Sequence, residues 1–161
     1  MQNITIQLET NVQRLFDEGK RRGLDTSGLM ADIGEILLKS TQRRFETGLA
    51  PDGNAWAPLK SGGPSRLTRG GTLGGQIYAS SGDDWAELTA TTEYARWHQE
   101  GTQPYIIEPK EKKALNIPGV GPRKRVNHPG LPARPFMGVS DEDRAEIEKQ
   151  AIAWFDFGTK G

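Results

Sequence analysis

The segment HPGLPARPFMGVSDEDRAEI, residues 128–147, places three prolines directly ahead of a strong helix start. A proline lacks a backbone N–H and fixes φ, so this segment cannot be helical and is a poor central strand. Ser140 stands three residues before Asp143, which is the spacing of a capping box at a helix start. The sequence therefore predicts a stiff, extended arm, followed by a C-terminal helix from Ser140 to about Phe157.

The composition predicts one domain with a modest core. The 161 residues match the usual length of one domain, and Leu, Ile, Val and Phe together account for 32 of them. That share is close to the range of disordered chains, but disorder normally also requires a high net charge, and here 21 basic residues balance 21 acidic ones. Twenty glycines and ten prolines predict long irregular segments that are costly to order alone. We expect one domain over residues 1–161, whose loops become ordered against partner subunits.

The residue types exclude several classes of protein. The chain has no cysteine, which excludes a disulfide framework, a thiol nucleophile and every cysteine-ligated metal site. No apolar run is long enough to span a bilayer, and no signal-peptide pattern follows Met1. We therefore expect a protein of a cytoplasm-like compartment, without a cofactor.

Hydrophobic periodicity predicts an α+β fold. The elements predicted in chain order are a strand at residues 4–8, a helix beginning near Val12, a helix at 29–45, a hairpin at 76–91, a short helix at 93–100, a strand at 105–108 and the C-terminal helix. Thr26 or Ser27 is expected to cap the second helix and Gly48 to end it. The predicted architecture is a small antiparallel sheet packed against two or three helices. It also has a long loop at 50–75, with Trp56 and Leu59 as anchors, and a basic, Pro/Gly-rich excursion at 103–130.

The charges are separated along the chain although they cancel in total. The excursion carries six bases against two acids, the bases being Lys110, Lys112, Lys113, Arg123, Lys124 and Arg125. Residues 139–157 reverse the balance, with six acids against two bases. Opposite blocks of this kind can pair head to tail between copies of one protein. The alternative is two separate solvated faces.

Motifs of catalysis are missing from the sequence. The glycine pairs at 70–71 and 74–75 precede a predicted strand, whereas a nucleotide-binding fingerprint follows a strand and precedes a helix, so we interpret them as loop glycines. His98 fits a structural position beside Trp97 better than a metal site. Asp83 and Asp84 fit a hairpin turn better than a pair of metal-binding carboxylates. The alternative, a metal-dependent nuclease using both aspartates and His98, predicts DNA cleavage dependent on magnesium or manganese.

Four stretches resemble one family in the same order. They are STQRRFETGLAPDGNAWAPL (40–59), LTRGGTLGGQIYAS (67–80), EYARWHQEGT (93–102) and LPARPFMGVSDEDRAEI (131–147). With these stretches the chain resembles the phage virion-morphogenesis or tail-completion family of contractile-tailed bacteriophages and prophages. The last two carry its Tyr-Ala-x-x-His-x-x-Gly segment and its Pro-Ala-Arg-Pro-Phe-x-Gly arm.

The resemblance implies a structural role without enzymatic activity. Proteins of this kind complete the tail and help it join the filled head, and they resemble small neck and tail-terminator proteins that work as rings, often six-fold. The implied partners are further copies of the chain in a possibly hexameric ring, tail-tube and head–neck proteins, and DNA passing through the neck as a nonspecific contact. The implied location is the tail or neck region of the virion, and the host bacterial cytoplasm during assembly.

Within this role the arm is the expected contact between subunits. Prolines hold it extended before a partner binds, which lowers the ordering cost of association. We expect Phe136 to be a buried anchor, Arg134 to make a forked contact to a carboxylate, and Pro135 to lie between them. The residues expected to build a platform under the arm are Tyr94, Trp97, His98 and Gly101. The alternative is that Phe136 packs into its own domain and Arg134 is solvated.

The basic residues of the excursion are expected to face an acidic neighbour or DNA. The second functional hypothesis is therefore a DNA-binding accessory protein at the head–tail neck. Phosphate-driven binding of that kind falls steeply with ionic strength. A near-neutral isoelectric point, about 6.8, argues against nucleic-acid binding as the main role.

Overall fold

The computed structural model of the chain describes residues 2–4, 10–60, 62–63, 67, 73–110 and 113–158. The helices are α1 (Thr10–Arg21), α2 (Ser27–Thr47), α3 (Ala95–Glu100) and α4 (Asp141–Gly158). The strands are β1 (Gln2–Ile4), β2 (Ile77–Ser81), β3 (Ala86–Ala90), β4 (Tyr105–Ile107), β5 (Leu115–Ile117), β6 (Gly121–Arg123) and β7 (Val126–His128). A short 3-10 helix, Gly74–Gln76, contains the second glycine pair and leads into β2. The fold is α+β, as predicted.

A three-stranded antiparallel sheet forms one layer, in the order β1-β3-β2. The predicted hairpin is confirmed as β2 and β3, which join through residues 82–85 and pair Ala79 with Leu88. Ile77, Leu88 and Ala90 are buried and form the apolar side of the sheet, against which α2 packs. The first strand is described over Gln2–Ile4, and positions 5–8 of the strand predicted at 4–8 lie outside the described residues.

Helix α2 is the central element, because it contacts β2 and β3 as well as α4. Its buried positions recur at helical spacing, which is why one amphipathic helix can serve two neighbours. They are Leu29, Met30, Ile33, Gly34, Leu37, Thr41, Arg44 and Phe45. Gly48 ends the helix in a left-handed conformation, with its N–H donating to the carbonyl of Arg44 at 2.7 Å, as predicted.

The predicted capping of α2 by a Thr26 or Ser27 side chain is wrong. Thr26 is 3% exposed, and its hydroxyl donates to the backbone carbonyl of Asp83. This bond attaches the start of α2 to the β2–β3 turn. The carboxylate of Asp25 instead accepts the N–H of Ser27 at 2.9 Å.

The predicted capping box at the start of α4 is confirmed. The N–H of Ser140 donates to Oδ2 of Asp143 at 2.8 Å, and the N–H of Asp143 donates to Oγ of Ser140 at 3.1 Å. Further along, Ile147, Ala151 and Phe155 are buried. The helix therefore begins at a fixed residue and lies against both α1 and α2.

A buried ion pair joins α2, the arm (residues 129–139) and α4. The guanidinium of Arg44 lies 2.6 Å from the carboxylate of Asp143, and both side chains are 6% exposed. Nη1 of Arg44 also donates to the carbonyls of Phe136 at 3.1 Å and Gly138 at 3.0 Å, while Nη2 donates to Oγ of Ser40 at 3.0 Å. Burial lowers the pKa of Arg44 and the charge of Asp143 opposes that shift. One charged group therefore satisfies acceptors on all three segments.

The excursion differs from the irregular segment predicted for most of it. Strands β4 and β7 pair in the register Tyr105 to His128, and β5 and β6 pair in the register Leu115 to Arg123. These two short sheets lie within residues 103–128, and the described part of that segment is called the ribbon below. Every strand of such a ribbon is an edge strand, so Pro122 fits within β6 even though it offers no N–H.

The prediction that Leu59 anchors the long loop is also wrong, whereas Trp56 is buried as expected. Trp56 is 5% exposed, whereas Leu59 is 44% exposed. Only Trp56 has a polar partner that holds it against the arm, and this contact is described below. The loop is thus fixed to the rest of the chain on the side that faces the arm.

Replacing Arg44 tests the ion pair as the main link between α2, the arm and α4. We expect Arg44→Leu to lower the free energy of unfolding by about 3–5 kcal/mol, because Asp143 is then left charged and buried without its partner. Urea denaturation followed by circular dichroism measures the change. The control is Arg43→Leu, an exposed position on the same helix, with an expected change within about 0.5 kcal/mol. Equal changes in the two variants would contradict this role.

Candidate assembly surface

The middle of the arm is part of the hydrophobic core. Phe136 is fully buried, and its ring lies 5.3 Å from that of Phe45, centroid to centroid. Phe45 in turn makes an edge contact with Trp56 at 5.7 Å. The indole N–H of Trp56 donates to the carbonyl of Pro135 at 2.7 Å. The arm is therefore attached to α2 and to the long loop of its own chain.

Arg134 anchors the arm to the loop through backbone carbonyls. Its Nε donates to the carbonyl of Ala57 at 2.9 Å, and its Nη2 donates to that of Pro58 at 3.1 Å. The residue is 6% exposed, and burial lowers the pKa of its guanidinium. Within the described residues Arg134 forms no ion pair, so the predicted forked contact is made to two carbonyls instead of a carboxylate.

Gln99 links the short helix α3 to the arm, and the sequence analysis did not single it out. Its Oε1 accepts the N–H groups of Phe136 and Met137, both at 3.0 Å. Its Nε2 donates to the carbonyl of Met137 at 2.8 Å. The side-chain amide of Gln99 thus forms the hydrogen bonds that a neighbouring strand would otherwise form with the extended backbone of the arm. The prolines of the arm prevent it from pairing with such a strand.

Two glycines allow close backbone approach where the ribbon meets the arm. Gly101 has a φ of 75°, and a Cβ there would lie 2.7 Å from the carbonyl oxygen of Leu131. Gly130 has a φ of 84°, and a Cβ there would overlap the carbonyl oxygen of Thr102. Between them, Thr102 and Leu131 exchange both backbone hydrogen bonds, at 2.9 and 3.2 Å. The base of the ribbon is thereby held at a fixed position.

The other predicted platform residues differ in exposure. The rings of Tyr94 and His98 meet edge to face at 6.0 Å, and the carbonyl of His98 accepts the N–H of Arg134 at 2.7 Å. Trp97 is 53% exposed. His98 and Gly101 thus contact the arm, whereas about half of Trp97 is open to solvent.

The imidazole of His98 is held in its neutral form. Its Nδ1 is buried, with no hydrogen-bond partner among the described residues. Burial lowers the pKa of His98, and the positive charge of Arg134 lowers it further. A protonated imidazole would add a second buried cation beside Arg134, so the neutral form favours the folded arm.

These positions change the interpretation of the arm. Phe136 is buried in the core of its own chain, as the alternative of intrachain packing expects. Within the described residues, Arg134 is neither solvated nor paired with a carboxylate. The subunit interface expected at Arg134, Pro135, Phe136, Tyr94, Trp97, His98 and Gly101 stays a prediction.

The ribbon, in contrast, exposes its side chains. None of the described residues between 103 and 128 is buried, and none of their hydrophobic side chains packs against the core. Tyr105 stacks on His128 at 4.7 Å, within the ribbon itself. Ile106 is 49% exposed and Val120 is 54% exposed. The ribbon is the largest described segment that contributes nothing to the core.

The basic residues predicted to face a partner are on the ribbon and its connections. The described ones are exposed: Lys110, Lys113, Arg123, Lys124 and Arg125. Arg123 donates to the carbonyl of Pro122 at 3.1 Å, and none of the five forms an ion pair within the described part of the chain. Lys112 lies outside the described residues.

An open groove of about 720 Å³ lies beside the arm, between the end of α2 and the start of α4. It is lined by Arg43, Pro51, Gly138 and Asp141, among others. Over the described residues, no three histidine, aspartate or glutamate side chains converge in a way that could hold a metal ion. Asp84, which the nuclease alternative requires, pairs with Lys20 at 2.7 Å. The described helices include none long and apolar enough to cross a membrane.

The family model of the phage virion morphogenesis family matches residues 5–156 of the chain. The chain belongs to the phage virion morphogenesis family. No curated protein and no solved structure matches it. The resemblance seen in the sequence is confirmed at the level of the family. The chain is accordingly a phage assembly protein associated with the virion.

The motifs that pointed to this family meet around the arm. The first stretch supplies Arg44 and Trp56, and the third supplies Gln99 and Gly101. The second supplies Leu73, which is 3% exposed in the same core. The residues of the four family stretches thus meet inside this chain, where they hold the arm and the base of the ribbon.

Truncating Phe136 distinguishes the internal anchor from an intersubunit one. We expect Phe136→Ala to lower the free energy of unfolding by about 3–5 kcal/mol, because it leaves a cavity between Phe45 and the arm. Trp97→Ala is the matched control, with an expected change within about 0.5 kcal/mol because that ring is mostly exposed. Chemical denaturation of dilute protein measures both. A Phe136→Ala protein as stable as the native one would show that the ring is not a core residue.

The neutral state of His98 predicts a dependence of stability on pH. The unfolded chain binds a proton at this residue near the ordinary pKa of 6.5, whereas the folded chain resists protonation. Stability is therefore complete above that value and falls as the pH decreases through and below it. We expect His98→Asn to be less sensitive than the native protein between about pH 7 and pH 5. Thermal unfolding at several pH values tests this, and identical pH profiles would refute it.

Proposed function

We propose that this protein is a noncatalytic assembly component that completes the phage tail and joins it to the filled head, as a ring of identical copies in the neck or at the tail terminus. The family resemblance implies a kind of ring that is often six-fold. The observation that carries the proposal is the ribbon, which exposes apolar and basic side chains and adds nothing to the core of its own chain. Such a segment fits a protein whose task is to contact neighbours.

A ribbon of this kind gains stability from a partner. An isolated two-stranded hairpin is marginally stable in water. Each described sheet of the ribbon has two strands, so no third strand pairs with its outer edges in that sheet. Ile106 and Val120 are about half exposed. Docking against a second surface would bury these groups and pair the edges. The exposed apolar side chains and sheet edges that make the free ribbon only marginally stable would therefore favour its association with a partner.

The ribbon has a rigid base from which to reach a neighbour. The Thr102–Leu131 pair and the close approach at Gly101 fix the point where it leaves the body. The arm that follows is held by Arg134, Trp56 and Gln99. A partner then orders the ribbon alone and not its base, which reduces the entropy cost of association.

Copies joined through the ribbon would form a closed ring. In this proposal the ribbon of one copy contacts a surface of the next copy outside that copy's own ribbon, so the contact is heterologous. A heterologous contact that closes on itself generates a ring, and a ring is the geometry that a tail lumen requires. No nucleophile, metal or cofactor is needed for this task.

The second candidate function is binding of DNA that passes through the neck. The five exposed, unpaired basic residues of the ribbon favour it. Phosphate contacts of this type should weaken steeply with salt, with log K falling by about 0.9 per contacted phosphate for each unit of log salt. A fluorescence titration of duplex DNA at several salt concentrations measures this slope.

Removing the ribbon tests the proposed function directly. Because Thr102 and Leu131 form a hydrogen-bonded pair, residues 103–130 can be replaced by Asn-Gly, which closes a two-residue hairpin turn. We expect the shortened protein to fold, with its core intact, and to fail in joining heads to tails. Electron microscopy of particles from a phage complemented with this variant should then show separate filled heads and tails.

The control replaces a surface of similar character on the body. Trp85 is 48% exposed and Tyr78 is 55% exposed, and both lie on or beside the sheet away from the ribbon. We expect Trp85→Ala with Tyr78→Ala to support normal joining. Normal particles from the shortened protein would contradict the proposal, as would heads and tails that remain separate with the control.

A further inference from the structure

The ribbon carries a positive charge that its own chain does not neutralise. Five exposed bases lie on it or its connections, and the one described acid among them is Glu108. Ion pairs elsewhere in the described chain, such as Lys20 with Asp84 and Arg96 with Glu100, are local to other elements. The cationic ribbon is thus available to an external anionic surface.

Helix α4 presents the opposite charge on its exposed side. Asp141, Ala145, Glu148 and Ile152 are separated by four, three and four residues, so they follow one stripe along the helix. All four are exposed, and neither Asp141 nor Glu148 forms an ion pair within the described residues. The stripe runs along one border of the face that carries the buried residues Ile147, Ala151 and Phe155.

The far end of this stripe places an exposed aliphatic side chain among charged ones. Ile152 is 46% exposed and, with Leu15 of α1, lines an open groove of about 520 Å³ whose other lining residues are charged: Arg14, Asp17, Glu18, Arg21 and Glu148. On the ribbon, Ile106 and Val120 are similarly exposed among basic residues. Apolar side chains surrounded by complementary charges are the usual composition of a protein interface, with an apolar centre and a polar rim.

We propose that the ribbon of one copy docks on the exposed acidic stripe of α4 in the next copy. This inference rests on the ring-forming function proposed above and names the two surfaces that meet. Positive charge on one element and negative charge on another make the contact heterologous, so the same pairing repeats from copy to copy around a ring. The ribbon bases face Asp141 and Glu148, and the exposed aliphatic side chains lie between the charges.

The total charge favours a second copy over DNA as the occupant. The 21 basic and 21 acidic residues cancel, which matches a protein that is complementary to itself. A nucleic-acid-binding domain usually has a net basic character, and this chain has an isoelectric point of about 6.8. DNA would also leave the acidic stripe of α4 without a partner.

Disulfide trapping tests the proximity of the two surfaces, since the native chain has no cysteine. Lys124→Cys and Glu148→Cys are made in separate proteins, mixed and oxidised. We expect the mixed disulfide to form at least about tenfold faster than with a third protein, Glu46→Cys, whose exposed thiol lies on α2. If Lys124→Cys forms a disulfide with Glu148→Cys and with Glu46→Cys at equal rates, the proposal is overturned. Because oxidation traps transient contacts, this comparison detects weak association as well as strong.

Charge reversal tests whether the attraction is specific. One protein carries Lys124→Glu with Arg125→Glu, and a second carries Asp141→Lys with Glu148→Lys. Each alone places like charges in contact, so we expect the apparent Kd of self-association, measured by sedimentation, to rise at least about tenfold. A mixture of the two proteins, or all four substitutions in one chain, should restore association because opposite charges meet again.

A charge-matched control excludes a general effect of net charge. Lys39→Glu with Lys60→Glu changes the charge by the same amount as the ribbon variant at exposed sites elsewhere. We expect its association to be native, and thermal unfolding verifies that every variant is folded. The capping box at Ser140 and Asp143 is retained throughout.

The outcomes separate this inference from the proposed function. If the chain without its ribbon fails to join heads to tails but mixing the reversed variants restores nothing, the function stands and the α4 contact is wrong. If the ribbon variant loses binding to duplex DNA while self-association is unchanged, the occupant is DNA and the inference falls. If the shortened protein joins heads to tails normally, the proposed function itself fails.

Discussion

The ion pair between Arg44 and Asp143 is the interaction on which the rest of the structure depends. A buried pair of this kind is weak support for stability by itself, because taking both charges out of water costs about as much as their attraction returns. Its importance here is geometric. Asp143 is at once the counter-charge of Arg44 and half of the capping box of α4, and Arg44 also binds two carbonyls of the arm. A shift of any one segment would leave a buried charge or acceptor unpaired, so the three positions are fixed together.

Because its position is fixed by this ion pair, the arm serves as a rigid segment inside the chain. Prolines remove its backbone donors and prevent ladder formation, so side chains must bind it: Gln99 from α3, Trp56 from the loop, and Arg44 from α2. The arm in turn holds the loop through Arg134. Each contact is weak in isolation, about 1 kcal/mol net for an ordinary hydrogen bond. Their joint effect is to position the base of the ribbon, which explains why the family motifs lie inside the chain even though the function proposed for it is to contact neighbours.

Local signals in the sequence predicted the elements, and contacts distant in sequence decided what the elements do. The capping box, the end of α2 at Gly48 and the β2–β3 hairpin depend on residues within a few positions of one another, and all three were predicted. Arg44 lies on the same predicted helix face as Phe45, but its partner is 99 residues away. In the sequence, the only indication of the pair of Arg44 with Asp143 is an arginine among the apolar residues of one helix and an acidic start of another. The same limit applies to Phe136, because an aromatic residue after two prolines suits an internal core and a subunit interface equally well. The ribbon was missed because prolines and glycines argue against strands in general, whereas edge strands accept them.

The separation of charge along the chain acquires a physical meaning from this arrangement. Among the described residues, the body holds the buried apolar side chains and the buried ion pair of Arg44 with Asp143, so it determines whether the chain folds. The ribbon adds little to that energy, which leaves its residues free to be chosen for charge and exposure. In the proposed ring, folding and association would therefore depend on different residues. A chain divided in this way would accumulate on its own without assembling, because the free copies lose little when the ribbon is exposed. The proposed assembly would follow when concentration or a completed tail brings the two surfaces together, since many weak contacts around a closed ring reinforce one another.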